Sequence, residues 1–210
     1  MQDFKRIPIW HAEKITVMTV SIEEIRRDVA VRLSAKRWRH CQAVGETAAT
    51  LAEQYRTDPS RALIAGILHD YAREIAPDEL VRLALQYGIP VDEIEAEEPV
   101  LLHGPVGAAI AKERFDVVDE EILQSISLHI TGAPGMPLLA KLVFLADFIE
   151  PGREHPAAAR ARELAGIDLA GAMLFTYDAV MRHAVAGGYH LHPRTVAAYE
   201  ELIAEGLSHS

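Results

Sequence analysis

The sequence predicts an all-α fold, a single bundle of roughly nine or ten helices. Three observations predict it. Apolar residues recur at three- and four-residue spacing in segment after segment, and no stretch alternates as a strand would. Capping residues, prolines and glycines punctuate those segments where helices should start and stop. Half of the 210 residues are apolar, enough for one substantial core.

The first predicted helix lies in "SIEEIRRDVAVRLSAKR". Ser21 and Glu24 have capping-box spacing, and Ile22, Ile25, Val29 and Leu33 form a stripe. The next runs from about Ala35 to Tyr55, with Trp38, Cys41, Val44, Ala48, Leu51 and Tyr55 on its inner face. "DPSRALIAGILHDYAREI" follows, with Asp58 as cap and Pro59 at the first helical position. "APDELVRLALQYG" is shorter and stops at Gly88. "VDEIEAEEP" reads as an acidic turn or loop on the solvated surface. Helices are then expected near "GPVGAAIAKERF", "DEEILQSISLHITG", "PLLAKLVFLADFIEP", "HPAAARARELAG", "DLAGAMLFTYDAVMRHAVAGG" and "HPRTVAAYEELIAEG". Residues 1–20 read as an N-terminal extension and 21–206 as the domain. Met18, before "TVSIEEI", looks like a natural start, so the first 17 residues read either as an upstream extension or as native sequence.

The net charge of −10 argues against a broad nucleic-acid surface, which would be basic. It leaves room for a small anionic substrate in one pocket lined by arginines or metal ions. No apolar run approaches the roughly 18 residues of a membrane span. The N-terminus has no signal core, and the lone Cys41 excludes an internal disulfide framework. A soluble cytoplasmic protein is expected.

Five places carry candidate chemistry: His40, the adjacent pair His69 and Asp70, His103, His129 and Asp147. Each falls at a core-facing part of a different predicted helix. Singly they are expensive to bury, but converging on cations would satisfy all of them. Four imidazoles and two carboxylates suit iron, manganese or zinc. Six ligands exceed what one four-coordinate zinc needs. Two metals bridged by Asp70 would account for the number, and such a pair can activate water and stabilise a phosphoryl oxygen.

The order H…HD…H…H…D resembles the HD-domain metal phosphohydrolases. More narrowly, the chain resembles the bacterial symmetrical bis(5'-nucleosyl)-tetraphosphatases. The resemblance spans Ile22 to Leu202 and rests on "KRWRH", "AGILHDYAREI", "LLHGPVGA", "LHITGAPGM", "LVFLADFIEPGR" and "HPRT". It implies an HD-domain bundle that hydrolyses diadenosine tetraphosphate, and related dinucleoside polyphosphates, to two ADP by a metal-activated hydroxide. The implied cofactors are two divalent or mixed-valence metal ions, iron first, with manganese or another transition metal as the alternative. The implied ligands are His40, His69, Asp70, His103, His129 and Asp147, with Asp70 as the bridge. The implied catalytic positions are His69, Asp70 and Arg73. The family usually has lysine where Arg73 stands; arginine keeps the charge but is a poor proton donor.

Arg37, Arg153 and Arg194 adjoin motif residues and are expected to read phosphate, as is Thr131 in the turn "TGAPGM". Trp38 and Tyr71 are the candidates for stacking on a base, though Trp38 fits core packing better. The expected partner is a small dinucleoside polyphosphate, with no nucleic acid and no membrane. Oligomeric state is left open, a homodimer included. Two rivals stay open: another HD-type nucleotide phosphohydrolase or phosphodiesterase, and a non-catalytic nucleotide-binding HD module. All six ligand positions are filled, which counts against the second.

Overall fold

A computed structural model describes residues 20–208. The expected extension therefore lies outside the described residues, apart from Val20. The described residues form eleven α-helices, with one 3-10 turn and no strand. The helices are α1 (Ile22–Arg32), α2 (Ala35–Gln54), α3 (Pro59–Leu68), α4 (Pro77–Gln86), α5 (Glu93–Glu97), α6 (His103–Phe115), α7 (Glu120–Leu128), α8 (Leu138–Ile149), α9 (Pro156–Ala165), α10 (Leu169–Gly187) and α11 (Pro193–Ser208). The 3-10 turn, Pro99–Leu102, leads into α6. None of these helices is long and apolar enough to cross a membrane.

The caps explain many of the boundaries. Ser21 and Glu24 close a capping box on α1, and Asp58 caps α3 ahead of Pro59. One element departs from expectation. The acidic stretch after Val91 is not a solvated loop: Asp92 and Glu95 form a capping box, α5 follows, and Glu95 is buried. A second departure is at the end of α3. The helix stops at Leu68, and the chain tightens into successive turns with bonds from Tyr71 N–H to Leu68, from Arg73 N–H to Asp70 and from Ile75 N–H to Ala72. His69 and Asp70 thus sit on a turn, not on a helix face.

The most apolar helix, α8, is buried on nearly every side and forms the centre of the bundle. It packs on α2, α3 and α7. Two close backbone approaches bring the site together. A Cβ on Gly66 of α3 would lie 2.6 Å from the Cα of Gly45 in α2, so only hydrogen at these positions lets the two helices touch. A Cβ on Gly104 of α6 would lie 2.6 Å from the Ser127 carbonyl oxygen of α7. The first contact draws His40 towards His69 and Asp70. The second draws His103 towards His129.

Candidate metal centre

Three of the four candidate histidines are C-caps: His69 of α3, His129 of α7 and His103 of the 3-10 turn that leads into α6. Each ring uses its Nδ1–H on the carbonyl three residues back: His69 on Gly66 at 2.6 Å, His129 on Ile126 at 2.8 Å, and His103 on Val100. His40 lies inside α2, where the carbonyls are already bonded. Its Nδ1–H instead meets Oε1 of Glu150 at 3.1 Å. Glu150 is buried and also accepts the Gly152 N–H.

With every Nδ1 proton committed, the neutral form of each of the four rings carries a bare lone pair on Nε2. All four face the same two carboxylates. His103 Nε2 lies 3.0 Å from Asp70 Oδ1, and His129 Nε2 lies 3.6 Å from the same oxygen. His69 and His40 Nε2 lie 3.3 and 3.6 Å from the other oxygen, Oδ2. Asp147 Oδ1 is 3.0 Å from His40 Nε2 and 3.9 Å from His69 Nε2. The Nε2 atoms of His103 and His129 are only 3.1 Å apart. Buried lone pairs so placed repel one another unless cations lie among them. The Nε2 atoms of His40 and His69 are buried and have no hydrogen-bond partner among the described residues. The donor set therefore fits divalent metal ions, held by nitrogen and oxygen ligands.

The protonation states fit the same reading. Burial pushes the Asp70 carboxyl up, but the facing rings of His69, His103 and His129 outweigh it and hold it well below the usual carboxylate range. Burial opposes ionisation of Asp147 as well, and His40, His69 and Arg153 overcome it. At His69 burial favours the neutral ring, yet Asp70 and Asp147 prevail and raise its pKa, so this pocket draws positive charge. Burial, reinforced by His129, pushes His103 down to about 4 and keeps it neutral. Ionised carboxylates and a neutral imidazole are the forms that ligate metals.

Arginines surround the donors. Arg37 Nη1 lies 2.7 Å from Asp70 Oδ2, and Arg153 Nη2 lies 2.6 Å from Asp147 Oδ1. Both line a cavity of about 350 Å³ over the site, and Arg73 joins them. The Arg73 guanidinium makes no ion pair or hydrogen bond with another described residue. Two other expected phosphate readers do not line this cavity, although Thr131 lines an adjoining one with Arg73. Arg194 is bonded to Glu95 at 2.9 Å. Thr131 is buried, donates to the Gly132 carbonyl, and accepts the Thr195 hydroxyl on its own carbonyl. Tyr71 is also withdrawn from any ligand: it is buried, its hydroxyl donates to Asp28, and burial pushes its pKa up to about 12. Trp38 packs against the core, and the Cys41 thiol is buried and pushed up by that burial.

The residue that the sequence did not single out is Glu150. It stands in "FIEPG", which reads as an ordinary helix end, and its partner His40 is distant in the chain. The buried Glu95 was legible in principle, because Asp92 and Glu95 have the same capping-box spacing as Ser21 and Glu24.

The HD domain profile matches residues 37–152. The chain is 36% identical over 177 residues to a symmetrical bis(5'-nucleosyl)-tetraphosphatase of Halalkalibacterium halodurans, covering 84% of this chain and 94% of that protein. It is 34% identical to the protein of the same name from Bacillus subtilis, covering 87% and 97%. Among solved structures, a Clostridium acetobutylicum protein described as a predicted HD superfamily hydrolase involved in NAD metabolism superimposes with a TM-score of 0.86 at 34% identity, covering 88% of this chain and 98% of that one.

Proposed function

The chain belongs to the HD-domain family, and on that premise we propose that it is a metal-dependent phosphoanhydride hydrolase that cuts dinucleoside tetraphosphates at the centre, giving two ADP from diadenosine tetraphosphate. The observation that carries the reading is the convergence of four Nε2 atoms on two ionised carboxylates, beside an arginine-lined cavity. Relatives matched over most of their length carry that activity in their names.

Asp70 divides the donors. Its Oδ1 faces His103 and His129, and its Oδ2 faces His40 and His69, with Asp147 beside the second pair. That division supports Asp70 as the bridge between two metal ions. Iron is our first assignment and manganese our second, because both accept six nitrogen and oxygen ligands. Bound there, such ions lower the pKa of water and stabilise charge on a phosphoryl oxygen.

The chain's own residues do the rest. Arg37, Arg73 and Arg153 bind and orient the polyphosphate, and their forked donors suit paired phosphate oxygens. The ion pairs of Arg37 with Asp70 and of Arg153 with Asp147 hold two of these guanidiniums at the cavity wall before substrate arrives. Arg73 cannot readily give up a proton. The leaving ADP departs as a stable anion, so it needs little protonation. We place the enzyme in the cytoplasm, with its nucleotide substrate.

The test is to incubate the protein with diadenosine tetraphosphate, ferrous iron and reductant. ADP is the expected sole nucleotide product. ATP together with AMP would overturn the symmetrical assignment.

A further inference from the structure

Three cavities share lining residues with the cavity over the metal donors: one of about 570 Å³ is basic, walled by Lys36, Arg37, Arg39 and Arg153, and the other two flank α10 and are mostly apolar. One flanking cavity, of about 540 Å³, lies between α8, α9 and α10 and is walled by Phe148, His155, Ala157 and Ala179. The other, of about 280 Å³, is walled by Leu101, Met181, Ala184, Tyr189 and Leu191. Val180 lines the central cavity and both flanking ones, and His183, one turn further along α10, lines the two flanking ones. These two side chains form a ridge with a cavity on either side.

The two sides repeat the same chemistry. Each flanking cavity shares one arginine with the central cavity: Arg153 on the first side, Arg73 on the second. Beyond that arginine each has mostly apolar walls and an aromatic ring. Phe148 is half-buried on the first side, with His155 edge-on to it at 5.1 Å between ring centres. Tyr189 stands 58% exposed on the second. Besides the shared His183, the first holds His155 and the second His190 and His192. On the second side Glu98 accepts the His190 backbone N–H at 2.8 Å, which fixes the chain beside Tyr189. A cation, then apolar walls with a ring and a few polar groups, is what a nucleoside joined to phosphate requires.

We propose that these two cavities are the two nucleoside subsites, one for each half of a dinucleoside polyphosphate, with Arg153 and Arg73 each serving the phosphates of its own half. The assignment rests on the proposed function and adds to it the reason for a central cut: like subsites on both sides centre the phosphate chain over the metal donors. It also replaces Tyr71 and Trp38 as stacking residues by Phe148 and Tyr189.

Two substitutions on α10 test it. Ala179→Trp fills the first cavity and Ala184→Trp the second; both positions are half-buried on one helix surface. Each variant should raise the KM for diadenosine tetraphosphate by about tenfold. Adenosine 5'-tetraphosphate has a single nucleoside, so its inhibition constant should stay near the parent value in at least one of the two variants. An unchanged KM in both variants would overturn the proposal. So would an inhibition constant for the single-nucleoside ligand that rises equally in both. Ala157→Trp and Leu191→Trp fill the same two cavities if either first variant melts early. If the parent protein leaves the dinucleotide uncut, the functional reading fails by itself, and equilibrium binding of the same two ligands to the same variants still decides the subsites.

Discussion

Two clusters in this molecule contain histidine beside two carboxylates, and they behave differently. The first surrounds Asp70 and Asp147. The second joins Asp92 and Glu95 to His192, at the junction of α5 and α11. In the second, His192 Nδ1 accepts the Arg194 backbone N–H, so the proton sits on Nε2, which faces Asp92 Oδ2 at 3.2 Å. Arg194 provides a cation on Glu95, and Glu95 also accepts the Asp92 N–H. His192 Nε2 is nevertheless buried without a hydrogen-bond partner among the described residues, as the Nε2 atoms of His40 and His69 are. In the first cluster every Nδ1 is a donor to a carbonyl or to Glu150, so in each neutral ring Nε2 is the bare nitrogen. The difference teaches that residue types do not decide a metal site. Arginines pair with acids in both clusters, so the difference lies in which ring nitrogen holds the proton: Nδ1 in the first and Nε2 in the second.

The sharpest way to break the comparison is to remove the shared carboxylate. Asp70→Asn should strip metal, measured by elemental analysis, and lower kcat/KM at least about 1000-fold, about 4 kcal/mol of barrier. Glu150→Ala comes next. Loss of the His40 anchor should weaken metal binding by about 10- to 100-fold in a chelator competition, with Glu150→Gln milder because an acceptor remains. Arg194→Ala addresses the other cluster. It leaves the buried Glu95 without its guanidinium and should cost about 2 kcal/mol in denaturant unfolding, with metal content unchanged. A fall in metal content there would erase the distinction.

The smallest effect is expected where acid and arginine meet at the surface. Hydrogen bonding from Arg114, helped by Tyr71 and opposed by partial burial, holds Asp28 below its ordinary value of 3.8. A depressed carboxylate adds stability above its unfolded pKa and loses it as the pH falls through the folded one. Asp28→Asn should therefore cost less than about 1 kcal/mol near neutrality. The gap to the parent should close as the pH falls below 3.8.

Much of this was legible in the sequence because it is local. Helical periodicity, caps at Ser21 and Asp58, and the burial of His69 and His103 next to apolar runs all follow from neighbours along the chain. The six donor positions could be picked out for the same reason. Glu150 could not, because its significance comes from His40 across the bundle. Arg194 beside "HP" looked open to an anion, and only the burial of Glu95 shows where its charge goes. The acidic stretch misled through composition: its charges suggested solvent, while its capping-box spacing already pointed to a helix.

The close contacts at Gly66 and Gly104 also say something about assembly. α2 and α3 are consecutive helices, and together they carry His40, His69 and Asp70; α6 and α7 are consecutive too, and carry His103 and His129. Each pair can dock after closing a short loop, without waiting for the rest of the chain. Three of the six donors thus go with one hairpin and two with the other, while Asp147 comes from α8. Metal ions held by these donors would cross-link the two hairpins, with Asp70 facing rings from both. Chelation should loosen the seam between the hairpins and leave each of them intact.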